Sequence, residues 1–319
     1  MRYIVGCLAA GLMFPGALAA QDIPPYVPVN PVLASRSPLY AQPYLPTRSG
    51  WHLRAVMDYS NAVEVDESPD TRFYTFDAEV LETDFWLTHD LSSHAFVIGD
   101  LPLRGGYNGF LDGFLNWYHK VIGLPVPARE TDPHNTFIWN FTLPGPTNIT
   151  RSAPRTFLGD ARVGGGLRFG GLELLGMVTL PTTTTGEDGW GRKVVSSSLA
   201  ASGELLHTSR WLVDAEVTAG WTPTTGALAA YQRSVFAGGF LSARWRFAGE
   251  QALYSTFWTQ SDNWQNTGWD ALDTPEVTMD FGALLRLKRN WPEVQVGATE
   301  DLIPKGPAVD IGFKFGLRW

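Results

Sequence analysis

The stretch "AVDIGFKFGLRW", residues 308–319, decides the fold class because its residues alternate strictly in chemical character. Successive side chains of a β-strand point to opposite faces, so the alternation predicts a strand with two unlike faces. One face is wholly apolar and consists of Ile311, Phe313, Phe315, Leu317 and Trp319. The other face is charged or empty and consists of Asp310, Gly312, Lys314, Gly316 and Arg318. Such a strand fits either a soluble β-sandwich or a barrel with lipid outside and water inside.

The same two-faced pattern recurs along the chain, most regularly in its second half. Strands such as "WLVDAEVTAGW" (211–221) and "EVTMDFGALLRL" (276–287) each present a complete apolar face. They are joined alternately by short turns, such as "GG" at 170–171, and by long polar loops, such as "SDNWQNTGWDALDTP" at 261–275. This asymmetry is typical of outer-membrane barrels. The pattern therefore predicts an all-β fold, a transmembrane antiparallel β-barrel over residues 50–319.

The composition agrees with an exported membrane barrel. The chain has 33 Gly and 13 Trp but only 18% charged residues, and outer-membrane barrels carry aromatic girdles at both interfaces. Residues 1–20 combine a basic start, an apolar run and a small-residue cleavage site, which predicts a signal peptide. The one cysteine, Cys7, lies in this leader, so we expect no disulfide and no cysteine metal site. The predicted location is the outer membrane of a Gram-negative bacterium.

The sequence also limits the partners. A net charge of -8 argues against nucleic acid. Scattered His and Asp residues lack metal-ligand spacing, and no glycine-rich run precedes a helix, so we expect neither a metal nor another cofactor. The expected partners are outer-membrane lipid, a small hydrophobic solute and the barrel-assembly machinery. The assembly signal that this machinery would read consists of Phe313, Phe315, Leu317 and Trp319.

The number of strands follows from counting the two-faced segments. Three strands before residue 102 and nine after residue 157 give about twelve, if residues 102–156 form one long insertion. A strand at "FIWNF" (137–141) with a hidden partner would give about fourteen. Residues 21–49 are rich in proline, which lacks the backbone donor of a strand, so they form either a plug in the barrel or a mobile segment.

The side chains expected to face the lumen carry charges of both signs. In "FYTFDAEV" (73–80), we expect Tyr74, Phe76, Ala78 and Val80 to point outward and Asp77 and Glu79 to point inward. The other expected inward charges are Arg54, Asp58, Arg162, Arg168, Glu216, Arg244, Arg246, Asp280, Arg286, Lys314 and Arg318. An open ion-selective pore would favour one sign. The mixture therefore predicts cross-strand pairs that brace a narrow lumen.

The insertion at 102–156 is the segment most expected to carry function, since loops of this length are uncommon in compact domains. "NGFLDGFLNWYHKVIG" (108–123) predicts an amphipathic helix that packs on the rim or enters the lumen. The sequence leaves two roles open for the polar face of this helix. The face contacts only water, or it contributes to a lumenal solute-path or gating site. The candidate residues for that site are Asp112, Asn116 and His119 of the helix and Arg129, Asp132 and Asn135 of the following loop, with Asp77 and Glu79 of the wall.

Two resemblances rest on quoted motifs. "GYNGFLDGFLNWYHKVIGLPVPARETDPHNTF" (106–137) and "FDAEVLETDFWLTHDL" (76–91) resemble domain-of-unknown-function family 3187 of proteobacterial exported proteins, which implies an architecture and no activity. "GDARVGGGLRF" (159–169) followed by "TLPTTTTGEDGWG" (179–191) is similar to outer-membrane channels for hydrophobic and aromatic compounds, with Thr183 where those channels usually have glycine.

These observations favour a gated or selective channel for a small apolar or amphiphilic solute. The alternatives are a lipid-modifying outer-membrane hydrolase and a structural envelope barrel without transport. A hydrolase needs a serine activated by a histidine and an acid. His207 and Ser209 lie in an expected short turn, and His119 with Asp112 has no serine placed beside it. No catalytic residue is therefore assigned, and an enzyme is the less favoured interpretation.

Overall fold

The computed structural model describes residues 22–27, 30–67, 73–123, 135–144, 147–185, 190–226, 228–286, 288, 290–303, 306 and 309–319. The predicted signal peptide, residues 1–20, lies outside the described residues. The strands are β1 (Trp51–Glu67), β2 (Phe73–Ser92), β3 (Ala95–Tyr107), β4 (Ile138–Leu143), β5 (Thr147–Arg151), β6 (Arg155–Leu158), β7 (Arg162–Phe169), β8 (Leu172–Thr179), β9 (Ser196–His207), β10 (Trp211–Trp221), β11 (Val235–Ala248), β12 (Gln251–Gln260), β13 (Glu276–Leu285), β14 (Glu293–Asp301) and β15 (Ile311–Arg318).

Helical structure is minor. The helices are α1 (Pro31–Ala34), α2 (Asp112–Ile122) and α3 (Asp270–Asp273), with a short 3₁₀ turn at Ala229–Tyr231. Helix α2 ends at Gly123, whose φ of 75° is the left-handed conformation that glycine adopts readily. Within the described part of the chain, no helix is long and apolar enough to cross a membrane.

Twelve of the described strands close into an antiparallel barrel, as the sequence predicts. Strand β1 pairs with β2, β2 with β3 and β3 with β7, and from β7 to β15 each strand pairs with the next in sequence. The barrel closes where β15 returns to β1, in a register that runs from Arg54 opposite Arg318 to Asn61 opposite Ile311. Closure leaves no unpaired edge in the wall, which is the condition for a sheet to span a membrane.

The connections are sorted by length, again as the sequence predicts. Two-residue turns such as Gly170–Gly171 and Gly249–Glu250 lie at the end where β1 begins, which we call the short-turn end. Gly170 and Gly249 have φ values of 68° and 53°, which other residues adopt only with strain. The opposite end, which we call the long-loop end, carries the connections between β8 and β9, between β10 and β11 and between β12 and β13.

The "FIWNF" segment does form a strand with a hidden partner, but neither strand enters the barrel. Strand β4 pairs with residues 74–77 at the long-loop end of β2, and β5 pairs only with β4. On the other side, β6 pairs with residues 103–106 of β3. These three strands extend the sheet above the barrel, which explains why the barrel count stays at twelve.

The two faces of the wall differ as the alternation in β15 predicts. Phe313 and Phe315 are 40% and 41% exposed, whereas Lys314 between them points inward and is buried. Other outward apolar side chains form a band around the barrel, among them Val163, Leu167, Leu199, Val217, Leu241, Phe257 and Val296. An exposed apolar band around a closed barrel is the surface that acyl chains solvate.

The orientation predicted for the start of β2 is wrong. The register places Ala78 opposite Ala62 and Val80 opposite Ser60, so Tyr74, Phe76, Ala78 and Val80 face inward and are buried. Asp77 and Glu79 therefore lie on the outer side of the wall, and β1 and β2 pair in one unbroken register. The apolar residues point inward here because the lumen near the long-loop end is filled by a hydrophobic cluster and not by water.

The closing seam depends on one buried cation. Lys314 Nζ lies 2.8 Å from Asp58 and 3.8 Å from Asp280, and all three side chains are buried. Removing one partner of a buried ion pair leaves an uncompensated charge and typically costs 3–5 kcal/mol.

We therefore predict that Lys314→Met lowers the free energy of barrel unfolding by about 3–5 kcal/mol, because it leaves two inward carboxylates without their cation. Urea unfolding followed by the mobility difference between boiled and unboiled gel samples measures this. Lys288→Met is the matched control, since Lys288 is exposed and its ammonium lies 4.8 Å from the centroid of the Trp291 ring; we expect it to change stability by about 1 kcal/mol or less. Equal effects of the two variants would contradict the role of the seam.

Candidate functional site

The N-terminal segment lies inside the barrel. Residues 22–27 and 30–43 are almost all buried, and their contacts are with inward side chains of the wall. The segment runs from the short-turn end toward the long-loop end, turns at α1 and runs back to residue 50, with an antiparallel bridge between Tyr26 and Ala41. We call residues 22–50 the plug. The described part of this segment therefore lies against the inner face of the wall, and its role as a plug stays a prediction.

At the long-loop end, the plug is held by polar contacts to loops. The guanidinium of Arg36 donates to the carbonyl oxygens of Pro223 at 3.0 Å and Arg233 at 2.9 Å. Ser37 donates to Gln260 Oε1 at 2.7 Å, and Arg192 donates to the carbonyl oxygen of Ser37. Since these contacts satisfy buried groups on both partners, they fix the tip of the plug against the loops.

In the middle of the barrel, Tyr26 is the main contact of the plug. Its ring stacks on Trp258 at 5.3 Å, and its hydroxyl donates to Glu276 at 2.9 Å. The same hydroxyl accepts a hydrogen bond from Thr278 at 2.7 Å, and the Lys314 ammonium lies 5.6 Å from the ring centroid. The plug therefore contacts the cation of the closing seam directly.

At the short-turn end, the plug is held by carboxylates of the wall. The backbone N–H groups of Gln42 and Leu45 donate to Glu216 at 3.0 Å and Glu173 at 3.1 Å. The backbone N–H of Arg48 donates to Asp90. Three wall carboxylates thus accept backbone hydrogen bonds from residues 42–48, which have no regular secondary structure.

Asp22 forms a latch between the two ends of the plug and the wall. Its carboxylate pairs with Arg48 of the plug and lies 2.9 Å from Arg318 of β15. Burial alone would raise the pKa of Asp22, but Arg48, Arg318 and Arg54 outweigh burial and hold that pKa below its usual value of 3.8. Because the folded-state pKa is depressed, the latch is fully charged above pH 3.8 and weakens only as the pH falls further.

The wall charges form the cross-strand pairs that their mixed signs predict. Arg104 lies 2.6 Å from Glu82, Arg162 lies 3.3 Å from Asp100, and Arg318 lies 2.9 Å from Glu293. All six side chains are buried. The inner face of the wall is therefore bridged by ion pairs between neighbouring strands.

An aromatic cluster covers the long-loop end of the lumen. Its members are Tyr74, Phe76, Trp139, Trp190 and Trp269, which we call the aromatic cap. The Trp139 and Trp190 rings meet edge to face at 5.6 Å, and Trp269 Nε1 donates to the carbonyl oxygen of Thr142 at 2.6 Å. Val32 of the plug belongs to the same hydrophobic cluster. The cap and the plug together close this end.

Helix α2 lies on the outer side of the wall and not in the lumen. The carboxylate of Glu79, which points outward from β2, accepts hydrogen bonds from the Tyr59 hydroxyl at 2.5 Å and from the backbone N–H groups of Phe110, at 2.6 Å, and Leu111. A carboxylate at this position stabilises the start of a helix. Leu111 and Leu115 pack against Ile311 of β15.

Asp112 makes a second attachment of the helix to the wall. Its carboxylate accepts hydrogen bonds from Asn61 Nδ2 at 2.9 Å and from the backbone N–H of Asn135 at 2.5 Å. Asp77, also outward, accepts a hydrogen bond from Thr136 at 3.3 Å. The helix and residues 135–136 therefore cover polar side chains on the outer wall that would otherwise be exposed beside the apolar band.

The structure thus brings most of the predicted site residues together, but outside the lumen. Asp77, Glu79, Asp112 and Asn135 lie where α2 meets the wall, and Asn116 and His119 belong to the same helix. Arg129 and Asp132 lie outside the described residues. The lumenal position predicted for Asp77, Glu79 and Asp112 is wrong, while a role for the predicted set in a solute path stays a prediction.

Several large apolar side chains in α2 and just before it are exposed. Phe110 and Trp117 are 71% and 59% exposed, and the Phe114 ring lies 6.3 Å from the ring of Phe313 on the outer wall. The helix therefore continues the apolar band of the barrel. Within the described part of the chain, no group of three or more His, Cys, Asp or Glu side chains could hold a metal ion.

Comparison with solved structures establishes the fold. The chain is similar to an outer membrane channel from Pseudomonas putida F1, with 13% identity, a TM-score of 0.55 and coverage of 85% of this chain and 96% of that chain. Two further similar structures are the CymD monoaromatic hydrocarbon channel (9% identity, TM-score 0.41, coverage 85% and 87%) and the toluene transporter TbuX of Ralstonia pickettii (7%, 0.41, 85% and 90%).

No family model matches the chain, and no curated protein matches it. The resemblance to domain-of-unknown-function family 3187 therefore stays a prediction. The chain has the fold of an outer-membrane β-barrel, and the apolar band around its wall fits that membrane.

Because the chain has no cysteine after Cys7, single cysteines can be introduced and labelled to test the position of α2. A spin label on Trp117→Cys should be more accessible to oxygen than to a water-soluble nickel complex, because the exposed side of α2 lies among acyl chains. Val217→Cys, in the apolar band, is the lipid reference, and Thr224→Cys, in a long loop, is the water reference. A Trp117→Cys label that behaves like the Thr224→Cys label would contradict this placement.

Proposed function

We propose that the protein is a gated, selective outer-membrane channel for a small apolar or amphiphilic solute. The observation that supports this most strongly is the filled lumen, in which the plug is held at separate points by polar contacts. Eight-stranded barrels are filled by their own side chains, whereas barrels of sixteen or more strands leave an aqueous channel. A twelve-stranded barrel lies between these, and here the remaining space holds one peptide segment.

The plug is suited to movement. It joins the barrel covalently only through residue 50, at the start of β1. Its backbone makes few hydrogen bonds to itself, so leaving the lumen breaks side-chain and backbone contacts to the wall without breaking a strand pairing. Segments of this kind open at lower free energy than the sheet around them.

The aromatic cap supports an apolar or amphiphilic solute. Its ring surfaces favour apolar and aromatic molecules. The indole N–H groups of Trp139 and Trp190 are buried and have no hydrogen-bond partner among the described residues. A solute with one polar group could satisfy these donors, and the fold is shared with a protein described as an outer membrane channel.

Insertion into the membrane requires a further partner. We infer that Phe313, Phe315, Leu317 and Trp319 serve as the assembly signal for the barrel-assembly machinery. Phe313 and Phe315 are exposed on the outer wall, and β15 is the strand that closes the barrel against β1.

Deletion of residues 22–47 should raise the single-channel conductance several-fold, because it empties the lumen while keeping all twelve barrel strands. Planar bilayers measure this, and the gel mobility shift shows that the variant folds. Arg36→Ala with Ser37→Ala is the matched variant, since it loosens only the tip of the plug. It should open more often than the intact protein, to the same conductance as the deletion. A deletion variant that conducts no better than the intact protein would refute gating by the plug.

The solute class has its own test in the deletion variant. Benzyl alcohol, a small aromatic alcohol, should interrupt the current by binding at the aromatic cap, whereas glucose should not. Trp190→Ala should weaken this block about tenfold, since the stacking of a flat ring on one aromatic side chain contributes roughly 1–3 kcal/mol to binding. Trp221→Ala, which removes an exposed Trp at the same end of the barrel, is the control. Equal block by glucose and benzyl alcohol would argue against an apolar solute.

A further inference from the structure

A cleft between the plug and the wall lies at the short-turn end of the barrel. It is open on one side and contains about 30 Å³ of free space, so the charged group of a ligand can enter it while an attached organic group extends from its mouth. Its lining includes Asp22 and Arg48 of the plug and His52, Arg54, Trp86 and Arg318 of the wall. Three of these six side chains are guanidinium groups and only one is a carboxylate.

The charges in the cleft do not balance. Arg48 and Arg318 share the carboxylate of Asp22, and Arg318 has a second partner in Glu293 at 2.9 Å. Arg54 is 9% exposed, and it makes no hydrogen bond and no ion pair among the described residues. Such a position is costly for a guanidinium, because the group has given up most of its water without gaining an anion.

The register makes the position of Arg54 more unfavourable. Arg54 lies directly opposite Arg318 across the seam between β15 and β1, so both side chains project from the same inner face. Like charges in directly opposed positions destabilise a pair of strands. Arg318 and Arg54 are therefore two adjacent inward cations. Arg318 forms ion pairs with Asp22 and Glu293, whereas Arg54 forms none among the described residues.

We propose that this cleft is an oxyanion-binding site, with Arg54 as its principal ligand and a carboxylate or a phosphate group as the bound chemistry. The planar guanidinium donates two parallel hydrogen bonds to either group. Arg54 faces Trp86 across the seam between β1 and β2, and the indole ring provides an apolar wall for the rest of an organic acid. The anion enters from the short-turn end, where the cleft lies.

The position of the cleft couples the anion to the plug, a consequence that rests on the proposed gating. A bound anion competes with Asp22 for Arg48 and Arg318, the two cations of the latch. Occupation of the cleft therefore weakens the hold of the wall on the plug and raises the open probability. The site and the coupling are separable, since binding requires only Arg54 and its neighbours.

The site is tested by calorimetric titration of the purified full-length protein in detergent. The ligands are benzoate, inorganic phosphate and benzyl alcohol, which has the ring of benzoate without its charge. We expect at least one of the two anions to bind to the intact protein. The affinity for benzyl alcohol should be the same in the intact protein and in Arg54→Gln. Binding of benzoate alone would identify the bound group as a carboxylate, and binding of phosphate alone would identify it as a phosphate. Binding of both would show that the site accepts either group.

Variants assign the binding to the cleft. Arg54→Gln should weaken anion binding about tenfold or more, since a hydrogen bond to a charged group is lost. Arg246→Gln is the matched control, because Arg246 lies at the same end and donates to the carbonyl oxygen of Ser209, away from the cleft lining. Asp22→Asn should tighten anion binding several-fold, because it frees Arg48 and Arg318. A purely structural role for Arg54 would not produce this opposite shift.

Two outcomes overturn the site: neither anion binds, or anion affinity is the same in Arg54→Gln and Arg246→Gln. The coupling is tested separately in planar bilayers, where the bound anion should raise the open probability of the intact protein and not of Arg54→Gln. Anion binding without that rise would overturn the coupling and leave the site. Failure of the proposed channel function would appear instead as an unchanged conductance after deletion of residues 22–47.

Discussion

The pairing of charges on the inner face of the barrel is the interaction on which the rest of the structure depends. Every second residue of each strand must point into the lumen, where burial makes an unpaired charge costly. Lys314 meets Asp58 and Asp280 across the seam that closes the barrel, and Tyr26 of the plug packs beside it. The plug is therefore part of the inner polar network, because Asp22, Gln42 and Leu45 all pair with groups of the wall.

Much of the wall could be predicted because its physics is local. In β15 the alternation of Phe313, Lys314 and Phe315 is enough to assign one side to lipid and the other to the lumen, and the structure confirms this assignment. The twelve strands and the sorting of turns from loops follow from the same alternation and from turn composition. These features depend on residues that are neighbours in the sequence.

The features that could not be predicted depend on distant partners. Tyr26 and Glu276 are 250 residues apart, and neither carries a local signal for the contact. In β2 the apolar residues Tyr74 and Phe76 point inward because Trp139 and other cap residues fill that part of the lumen. An apolar side chain fits both the acyl chains outside the barrel and a hydrophobic cluster inside it, so apolar character alone does not assign its side. The same ambiguity applies to α2, whose exposed Trp117 continues the outer band.

The central claim is that the N-terminal segment fills the lumen of the folded protein. Its most direct test is the rate at which a charged, membrane-impermeant thiol reagent modifies Ser37→Cys in liposomes. Ser37 is buried and donates to Gln260, whereas Thr47 is an exposed plug residue near the short-turn end, so Thr47→Cys is the reference. The account predicts modification of Ser37→Cys that is slower by orders of magnitude. Equal rates at the two positions would contradict it.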